Sequence, residues 1–443
     1  MSETNALHRE VVIVGGGLSG LTAAHVLSHV GLRVLVVEKA PVVGGGCRSF
    51  MDDLGNTFDA GFHAIDEGRN TITTRLFEKV LRDDLVRFEM KRGIVLRDHL
   101  LPYSAPLSEW PADLRGLFDA VPAVDDISGD LTRANIARVY GRRFADFAFD
   151  EILRSYPSKV WALDRKAPEH EHIDNVYPWF FPRVPKKVTR TEEWNSFHDK
   201  VREQPKHYML YPKTGGFGGL TQALVDKAAP GLVEIEAGVK DLKIEHDEAR
   251  QVKAVHANGR RITADLYLWC TSPAPMLAAL GKPAKIDAAP QRLVEGNFAF
   301  AKPTGCSYHE IIVGSLQHKI NRVAFPAKMP GKPDTLVQAE FYFPDGEFSN
   351  EPAYWREQWL PSLRKLGIVK PDNELLGFHF VTEIKGFATM ERFDVLTQSF
   401  KDRVAALNTN IRIPYYNLGP ENASRVMAGT VTGVADLLKT AFR

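Results

Sequence analysis

Three glycines near the start of the chain have the spacing needed to bind a dinucleotide. Gly15, Gly17 and Gly20 directly follow the apolar run VVIV. In this pattern the first glycine permits a tight strand-to-helix turn, the second lets a pyrophosphate approach the backbone, and the third lets the helix pack on the strand. The start of the helix then presents backbone N–H groups to the phosphates, so Leu18 and Ser19 are also predicted to contact the cofactor.

An acid ends the second apolar run of the chain, RVLVVEK. Glu38 lies about 20 residues beyond the glycines, where a carboxylate accepts hydrogen bonds from the hydroxyls of a ribose. A carboxylate at this place disfavours a 2′-phosphate and so argues against NADP. Lys39, beside it, is predicted to contact the cofactor too. The helix pattern LTAAHVLSHVG between the two runs agrees with these signals and favours a nucleotide site over a plain glycine-rich turn.

A second glycine cluster follows in the stretch KAPVVGGGCRSF, where Gly44 to Gly46 lead into Arg48 and Ser49. An NAD dehydrogenase has no need of a second phosphate-facing turn here, whereas a longer dinucleotide with an isoalloxazine ring does. The two clusters together therefore indicate FAD.

With these residues the sequence resembles the FAD-containing superfamily of amine oxidases, protoporphyrinogen oxidase, phytoene desaturase and UDP-galactopyranose mutase. The shared signature is GxGxxG, an acid and then GGxxRS, and it is matched by Gly15, Gly17, Gly20, Glu38, Gly44, Gly45, Arg48 and Ser49. The resemblance implies an α/β fold, in which a Rossmann-like FAD-binding domain of the GR2 type with a β-meander is interleaved with a mixed α+β substrate domain. It also implies non-covalent FAD, because no Cys or His lies in a known attachment context.

The 443 residues are too many for one simple core and suit two interleaved domains. Helical periodicity with many aromatics fills the stretch after the first unit, and alternating strands return near residue 230. We predict that the FAD-binding domain comprises residues 1–66, 205–280 and 396–443, and the substrate domain residues 67–204 and 281–395.

The resemblance assigns further residues to FAD. The turn FDAGFHAI contributes Gly61, Phe62 and His63, and the meander contributes the backbone of Val239 beside the adenine. His63 is the catalytic candidate, expected to position or hydrogen-bond the flavin near N5; a purely structural histidine is the alternative. In the C-terminal segment the candidates are Gly419, Asn422 and Val426. The small-residue helix there is expected to approach the flavin's pyrimidine edge, with plain helix packing as the alternative.

Five residues are candidates for the substrate: Tyr156, Trp161, Tyr211, Arg322 and Tyr416. The stretch from Gly141 to Asp164 resembles the mutase, whose tyrosine and tryptophan lie along the nucleotide-sugar site, where an aromatic face stacks on uracil. The alternative is that Tyr156 and Trp161 belong to the core face of one helix. Arginines such as Arg322 suit a diphosphate because of their bidentate geometry.

The composition limits the partners. A net charge of +1 gives no general attraction to nucleic acid or to an anionic membrane. Three scattered cysteines offer neither a disulfide framework nor metal-ligand spacing, which favours a reducing compartment and a cytoplasmic location. No signal peptide or transmembrane run is expected. Aromatic and basic residues at 177–190 could contact a membrane interface, although a packed loop is the preferred interpretation.

Three classes of function remain open. The first is an FAD-dependent oxidoreductase that oxidises a small organic substrate by hydride transfer to flavin N5. The second is a non-redox mutase, in which reduced N5 attacks a sugar's anomeric carbon. The third is a flavin-binding protein without catalysis, which the size of the inserted domain disfavours.

Overall fold

The fold is described from a computed structural model, which describes residues 6–68, 70–103, 105, 109–117, 137, 141–147, 208–283, 290–315, 317–344, 349–386, 393–416 and 423–441. Five predictions lie outside these residues: those for Tyr156, Trp161, Gly419, Asn422 and the aromatic and basic loop 177–190.

The described strands, in chain order, are β1 (Ala6–Val14), β2 (Val34–Val37), β3 (Ser49–Met51), β4 (Thr57–Asp59), β5 (Ile65–Asp66), β6 (Leu85–Glu89), β7 (Arg92–Leu96), β8 (His99–Pro102), β9 (Tyr208–Pro212), β10 (Val233–Glu236), β11 (Lys243–His246), β12 (Val252–Ala257), β13 (Arg260–Trp269), β14 (Pro290–Phe300), β15 (Glu310–Val313), β16 (Arg322–Ala324), β17 (Leu336–Pro344), β18 (Leu375–Gly386) and β19 (Ile411–Arg412).

The described helices are α1 (Leu18–His29), α2 (Thr71–Leu81), α3 (Ala112–Arg115), α4 (Arg142–Phe147), α5 (Gly218–Asp226), α6 (Pro273–Ala279), α7 (Pro352–Lys365), α8 (Phe393–Ala406) and α9 (Ala423–Ala441). Within the part of the chain that the structure describes, none of these helices has the length and apolar character needed to cross a membrane.

The chain divides into two compact units. Unit 1 comprises Met1–Phe88, Tyr208–Ala288 and Phe387–Arg443, and unit 2 comprises Glu89–His207 and Ala289–Gly386. Each unit is therefore assembled from segments that are far apart in sequence. The assignment of the cofactor to one unit and of the substrate to the other stays a prediction.

The main sheet of unit 1 has the strand order β10-β2-β1-β13-β12-β11, with β19 also paired to β13. β10, β2, β1, β13 and β19 run parallel, whereas β11, β12 and β13 form an antiparallel meander. The parallel strands read as continuous apolar runs because both faces are covered: α1 and α9 contribute to the core on one face, and α8 packs on the other. This arrangement confirms the predicted α/β fold with a β-meander.

Unit 2 is built on a sheet with the order β18-β14-β17-β16-β15-β7-β8. Successive side chains on its strands point to opposite faces. Val294, Phe298 and Val337 therefore share one face, where they pack under Trp355 and Trp359 of α7. The same alternation places Glu295, Asn297 and Glu340 on the opposite face, where all three are buried.

Candidate functional site

The first glycine turn joins the end of β1 to the start of α1. Gly17 is the N-cap of α1, and no side chain caps the helix. The first intrahelical bond is donated by the Leu21 N–H to the Gly17 carbonyl oxygen, at 2.9 Å. The amides of Leu18, Ser19 and Gly20 precede it, so they are the donors that a helix N-terminus presents to an anion.

The space around the turn differs from one glycine to the next. A Cβ atom on Gly20 would lie 1.9 Å from the Gly15 carbonyl oxygen, so only glycine lets α1 pack this closely on the turn. A Cβ atom on Gly17 would meet nothing nearer than the Gly45 Cα, at 4.0 Å, and one on Gly46 would meet nothing within 4 Å. Open space beside helix amides is what a pyrophosphate requires, and these residues fit that part of FAD.

The second glycine turn is held against the first. The Gly44 N–H donates to the Gly16 carbonyl oxygen at 2.8 Å, and Gly17 and Gly44 form an isolated parallel bridge. Arg48 Nη1 closes the second turn by donating to the Gly45 carbonyl oxygen at 2.9 Å. The two clusters predicted to share one dinucleotide are thus neighbours in the structure.

Glu38 is fixed at the end of β2. Its carboxylate accepts from the Gly16 N–H at 2.6 Å and from the Ala40 N–H at 2.7 Å. Each carboxylate oxygen has a second lone pair, so the group can still accept from ribose hydroxyls. The Val239 N–H donates to the Glu38 carbonyl oxygen at 3.0 Å, which brings the predicted adenine contact to the same strand end. Lys39 is exposed.

A buried carboxylate, Asp59, connects three turns. Its Oδ1 accepts from Ser49 Oγ at 2.6 Å and from the Phe217 N–H at 2.7 Å, and its Oδ2 accepts from the Tyr211 hydroxyl at 2.6 Å. The Gly218 N–H in turn donates to Ser49 Oγ at 2.7 Å. The second glycine turn, the FDAGFH turn and the glycine-rich turn before α5 therefore meet at one group, which we call the Asp59 hub.

Burial dominates the electrostatics of this hub. Asp59 is 1% exposed, and the loss of hydration raises its pKa from the ordinary 3.8 to about 6, against the opposing effect of its three hydrogen bonds. Burial and the neighbouring Asp59 also raise the pKa of the Tyr211 hydroxyl well above its ordinary value. Tyr211 is therefore a permanent donor at neutral pH.

His63 lies on the turn that follows Asp59. Its Nε2 is 2.7 Å from the Gly46 carbonyl oxygen, which can only accept, so this nitrogen carries the proton. The ring is half-buried and packs 5.2 Å from the ring of Phe217, between their centroids. Gly61 and Phe62, on the same turn, are buried. The structure thus attaches His63 to the second glycine turn; its contact with flavin N5 stays a prediction.

The small residues of α9 have a partner within the chain. A Cβ atom on Gly433 would lie 1.8 Å from the Pro414 carbonyl oxygen, and one on Gly429 would lie 2.1 Å from the ring of Tyr415. Packing against the segment after β19 therefore accounts for these two glycines. Val426 lies one turn earlier on α9, where its carbonyl oxygen accepts from Thr430 Oγ1 at 2.7 Å.

The described substrate candidates are not brought together in one place. Tyr211 belongs to the Asp59 hub and is 1% exposed. Arg322, in unit 2, donates to Glu340 through Nη2 at 2.6 Å and lies 3.5 Å from Glu310 Oε1. Tyr416 lines a cavity in unit 1. Their roles toward a substrate stay predictions.

Sequence reasoning missed the Asp59 hub. Asp59, Ser49 and Tyr211 each stood in a recognised motif, but Asp59 and Tyr211 are 152 positions apart. Motif spacing carries no signal for a contact between such distant positions.

A parallel sheet with open glycine turns at its strand ends, unbonded helix amides and an acid at the next strand end defines a dinucleotide-binding protein of the Rossmann class. Within that class, the chain belongs to the family of flavin-containing amine oxidoreductases, whose sequence profile matches residues 18–298. Membership confirms the predicted superfamily, the FAD cofactor and the enzyme class, FAD-dependent oxidoreductase.

Curated relatives match the chain over short segments. An inactive all-trans-retinol 13,14-reductase of Danio rerio is 34% identical over 79 residues, which is 18% of this chain and 13% of that protein. A hydroxysqualene dehydroxylase of Sinorhizobium fredii is 45% identical over 65 residues, or 14% of this chain and 16% of that protein. The matches thus span less than a fifth of either relative.

Solved structures share the fold over nearly the whole chain. The crystal structure of reduced UDP-galactopyranose mutase superposes with a TM-score of 0.70 at 16% identity, covering 98% of this chain and 95% of that one. A putrescine oxidase bound to putrescine superposes with a TM-score of 0.56 at 13% identity, covering 98% and 100%. At these identities the likeness establishes the fold alone.

Proposed function

We propose that the protein oxidises a small organic substrate at a C–N or C–C bond by hydride transfer to FAD. When bound, FAD supplies the hydride acceptor at its N5 atom. The observation that carries the proposal is the convergence of both glycine turns and the FDAGFH turn in unit 1, with open space at the Cβ positions of Gly17 and Gly46. Family membership supports the redox class.

Each residue of this region has a proposed part. The amides of Leu18, Ser19 and Gly20 bind the pyrophosphate, and Glu38 orients the ribose. The Asp59 hub fixes Ser49 and the second glycine turn. His63, whose tautomer is set by the Gly46 carbonyl oxygen, positions the ring end of the cofactor.

The class of substrate is proposed from the redox chemistry of FAD and from the names of the similar proteins. The relatives named for retinol and hydroxysqualene support oxidoreductase chemistry on apolar carbon skeletons, and putrescine oxidase supports chemistry on amines. The mutase alternative needs unmatched arginines for a diphosphate. Arg322 does not favour it, because Glu310 and Glu340 balance its charge.

The test monitors the absorbance spectrum of the bound flavin, which is bleached when the flavin is reduced. Oxidised holoprotein is mixed without oxygen with putrescine, a porphyrinogen and 13,14-dihydroretinol in turn, each of which can donate a hydride, and we expect one class to bleach the flavin. In parallel, photoreduced protein receives UDP-galactopyranose. Isomerisation by the reduced protein, with no bleaching of the oxidised form by any substrate, would replace our proposal with the mutase. Gly17→Val protein, expected to lack FAD, is the control for flavin-independent turnover.

The remaining predictions about partners are carried forward as proposals. A small molecule is the proposed substrate and the cytoplasm the proposed location. Contact of residues 177–190 with a membrane is a further proposal, tested by vesicle co-sedimentation.

A further inference from the structure

A chain of hydroxyl groups connects the start of α1 to α9. Thr430 of α9 is fully buried, and its hydroxyl donates to the Val426 carbonyl oxygen, one turn earlier on the same helix, at 2.7 Å. A hydroxyl has one proton, and a carbonyl oxygen only accepts. The proton of Thr430 is therefore used within its own helix, and its oxygen remains as an acceptor.

Ser19 is the group that donates to Thr430. Their hydroxyl oxygens are 2.9 Å apart, and because Thr430 has already used its proton, the proton in this bond is that of Ser19. Ser19 lies in the first turn of α1, between Leu18 and Gly20. Its hydroxyl proton, held by α9, cannot also be donated to a phosphate, whereas its backbone N–H remains available.

The Cys270 thiol approaches Ser19 from the end of β13. The Cys270 N–H donates to the Val14 carbonyl oxygen at 2.8 Å, and its own carbonyl oxygen lies 3.0 Å from where a Cβ of Gly15 would be. Burial raises the pKa of the thiol to about 12, although a hydrogen bond with Ser19 acts in the opposite direction. The thiol therefore keeps its proton at neutral pH and can donate it to Ser19 Oγ, which still has lone pairs to accept it.

Packing fixes the part of α9 that carries Thr430. A Cβ atom on Gly429, the preceding residue, would lie 2.1 Å from the ring of Tyr415, so α9 lies as close to the segment after β19 as its backbone allows. Val434, one turn after Thr430, is buried in one core with Leu27 of α1. The accepting oxygen of Thr430 is therefore held in place beside the first turn of α1 by contacts within the protein itself.

We propose that Thr430 is a positioning residue for the pyrophosphate of FAD. By accepting the proton of Ser19, it holds the first turn of α1, and the backbone N–H groups of that turn then bind the phosphates without a side-chain hydroxyl. The inference rests on the FAD site proposed above. It adds to that site a residue 411 positions away from Ser19, on a helix outside the glycine motif.

The test measures the dissociation constant of FAD by serial dilution of the holoprotein, with flavin fluorescence reporting release. Thr430→Val keeps the shape of the side chain but offers no acceptor, and we expect FAD to bind about five- to tenfold more weakly, the loss of one buried hydrogen bond. Thr430→Ser restores the acceptor and should bind FAD as the unsubstituted protein does. Thr432→Val is the matched control and should leave the constant unchanged, because Thr432 makes the same kind of bond to its own helix, donating to the Ala428 carbonyl oxygen at 3.0 Å.

A double substitution shows whether Thr430 acts through Ser19. Ser19→Ala removes the donor and should weaken FAD binding by a similar factor. Addition of Thr430→Val to Ser19→Ala should then cause no further loss, since the interaction is already absent. Losses that multiply in the double variant, unchanged or tighter binding in Thr430→Val, or an equal loss in Thr432→Val would overturn the inference alone. Absence of FAD from the unsubstituted protein would refute the proposed function and this inference together.

Discussion

At the scale of single residues, Asp59 has the most consequential environment. Its carboxylate accepts hydrogen bonds from the Ser49 hydroxyl, the Tyr211 hydroxyl and the Phe217 N–H. These donors favour the ionised form, but burial outweighs them, since the pKa rises to about 6. The group therefore ionises within the range of pH in which most proteins are handled.

Stability should depend on pH through Asp59. A pKa of about 6 in the folded protein, against 3.8 ordinarily, means that the folded protein binds more protons between these values than the unfolded chain. The contribution is fully present below pH 4 and is lost as pH rises through 6, a decline of about 3 kcal/mol. Urea unfolding from pH 4 to pH 7 measures it. Asp59→Asn should remove this decline; an identical pH profile in the variant would contradict the assignment.

Replacement of Tyr211 separates a supporting role from a substrate role. Tyr211→Phe removes one donor to Asp59, and we expect the free energy of unfolding at pH 7 to fall by about 1–3 kcal/mol. Because the hydroxyl is buried, KM should stay unchanged. Tyr208→Phe, on the same strand, is the matched control. A raised KM with unchanged stability would instead place the Tyr211 hydroxyl against the substrate.

At the scale of elements, two glycines of the turn between β1 and α1 differ in the space that an added side chain would find. Gly17 has an ordinary extended backbone, with φ −76° and ψ −175°, and open space at its Cβ position. Gly20 has the Gly15 carbonyl oxygen where a Cβ would lie. We therefore propose that Gly17 is needed for the ligand, whereas Gly20 is needed for the packing of α1 on its turn.

This contrast predicts different phenotypes for the same substitution. Gly17→Val should abolish FAD binding and leave the circular dichroism spectrum of the flavin-free protein unchanged, because the added atoms occupy the space for the pyrophosphate. Gly20→Val should lower the Tm of the flavin-free protein sharply, because α1 must move away from its turn. Retention of stoichiometric FAD by Gly17→Val would contradict the assigned site.

Some features of the fold and the candidate site could be predicted from the sequence, and others could not. The turn at Gly15 to Gly20 and the acid at Glu38 were predictable, because each signal is contained in one short stretch with a fixed spacing. The small residues of α9 were interpreted as making room for the flavin, yet Pro414 and Tyr415 occupy the space beside Gly433 and Gly429. A small side chain signals a close approach without identifying the approaching group. Likewise, because residue 322 is an arginine, the sequence predicted that it binds an anionic substrate. Only the fold showed that Glu310 and Glu340 are its partners.

At the scale of the whole molecule, the two units have separate cores. In unit 2, Trp359 is fully buried beneath the sheet and packs 5.0 Å from Trp355, between ring centroids. The residues assigned to FAD that the structure describes all belong to unit 1. We therefore expect a substitution in the core of unit 2 to leave the FAD affinity unchanged.

Trp359→Ala tests this independence. We expect a loss of about 3–5 kcal/mol in the unfolding of unit 2, the usual cost of truncating a buried tryptophan. Flavin content and FAD affinity, measured by absorbance and fluorescence, should remain as in the unsubstituted protein. A proportional loss of FAD would show that the cofactor depends on the core of unit 2.

The hydrogen bond between Ser19 and Thr430, 2.9 Å between their hydroxyl oxygens, has a consequence for synthesis on the ribosome. Ser19 of the glycine turn is synthesised 411 residues before Thr430 of α9, and β19 must also join β13. Long-range pairings of this kind form late. In a nascent chain the glycine turn therefore lacks this support until α9 has been added, and we expect a product that ends before α9 to retain the flavin poorly.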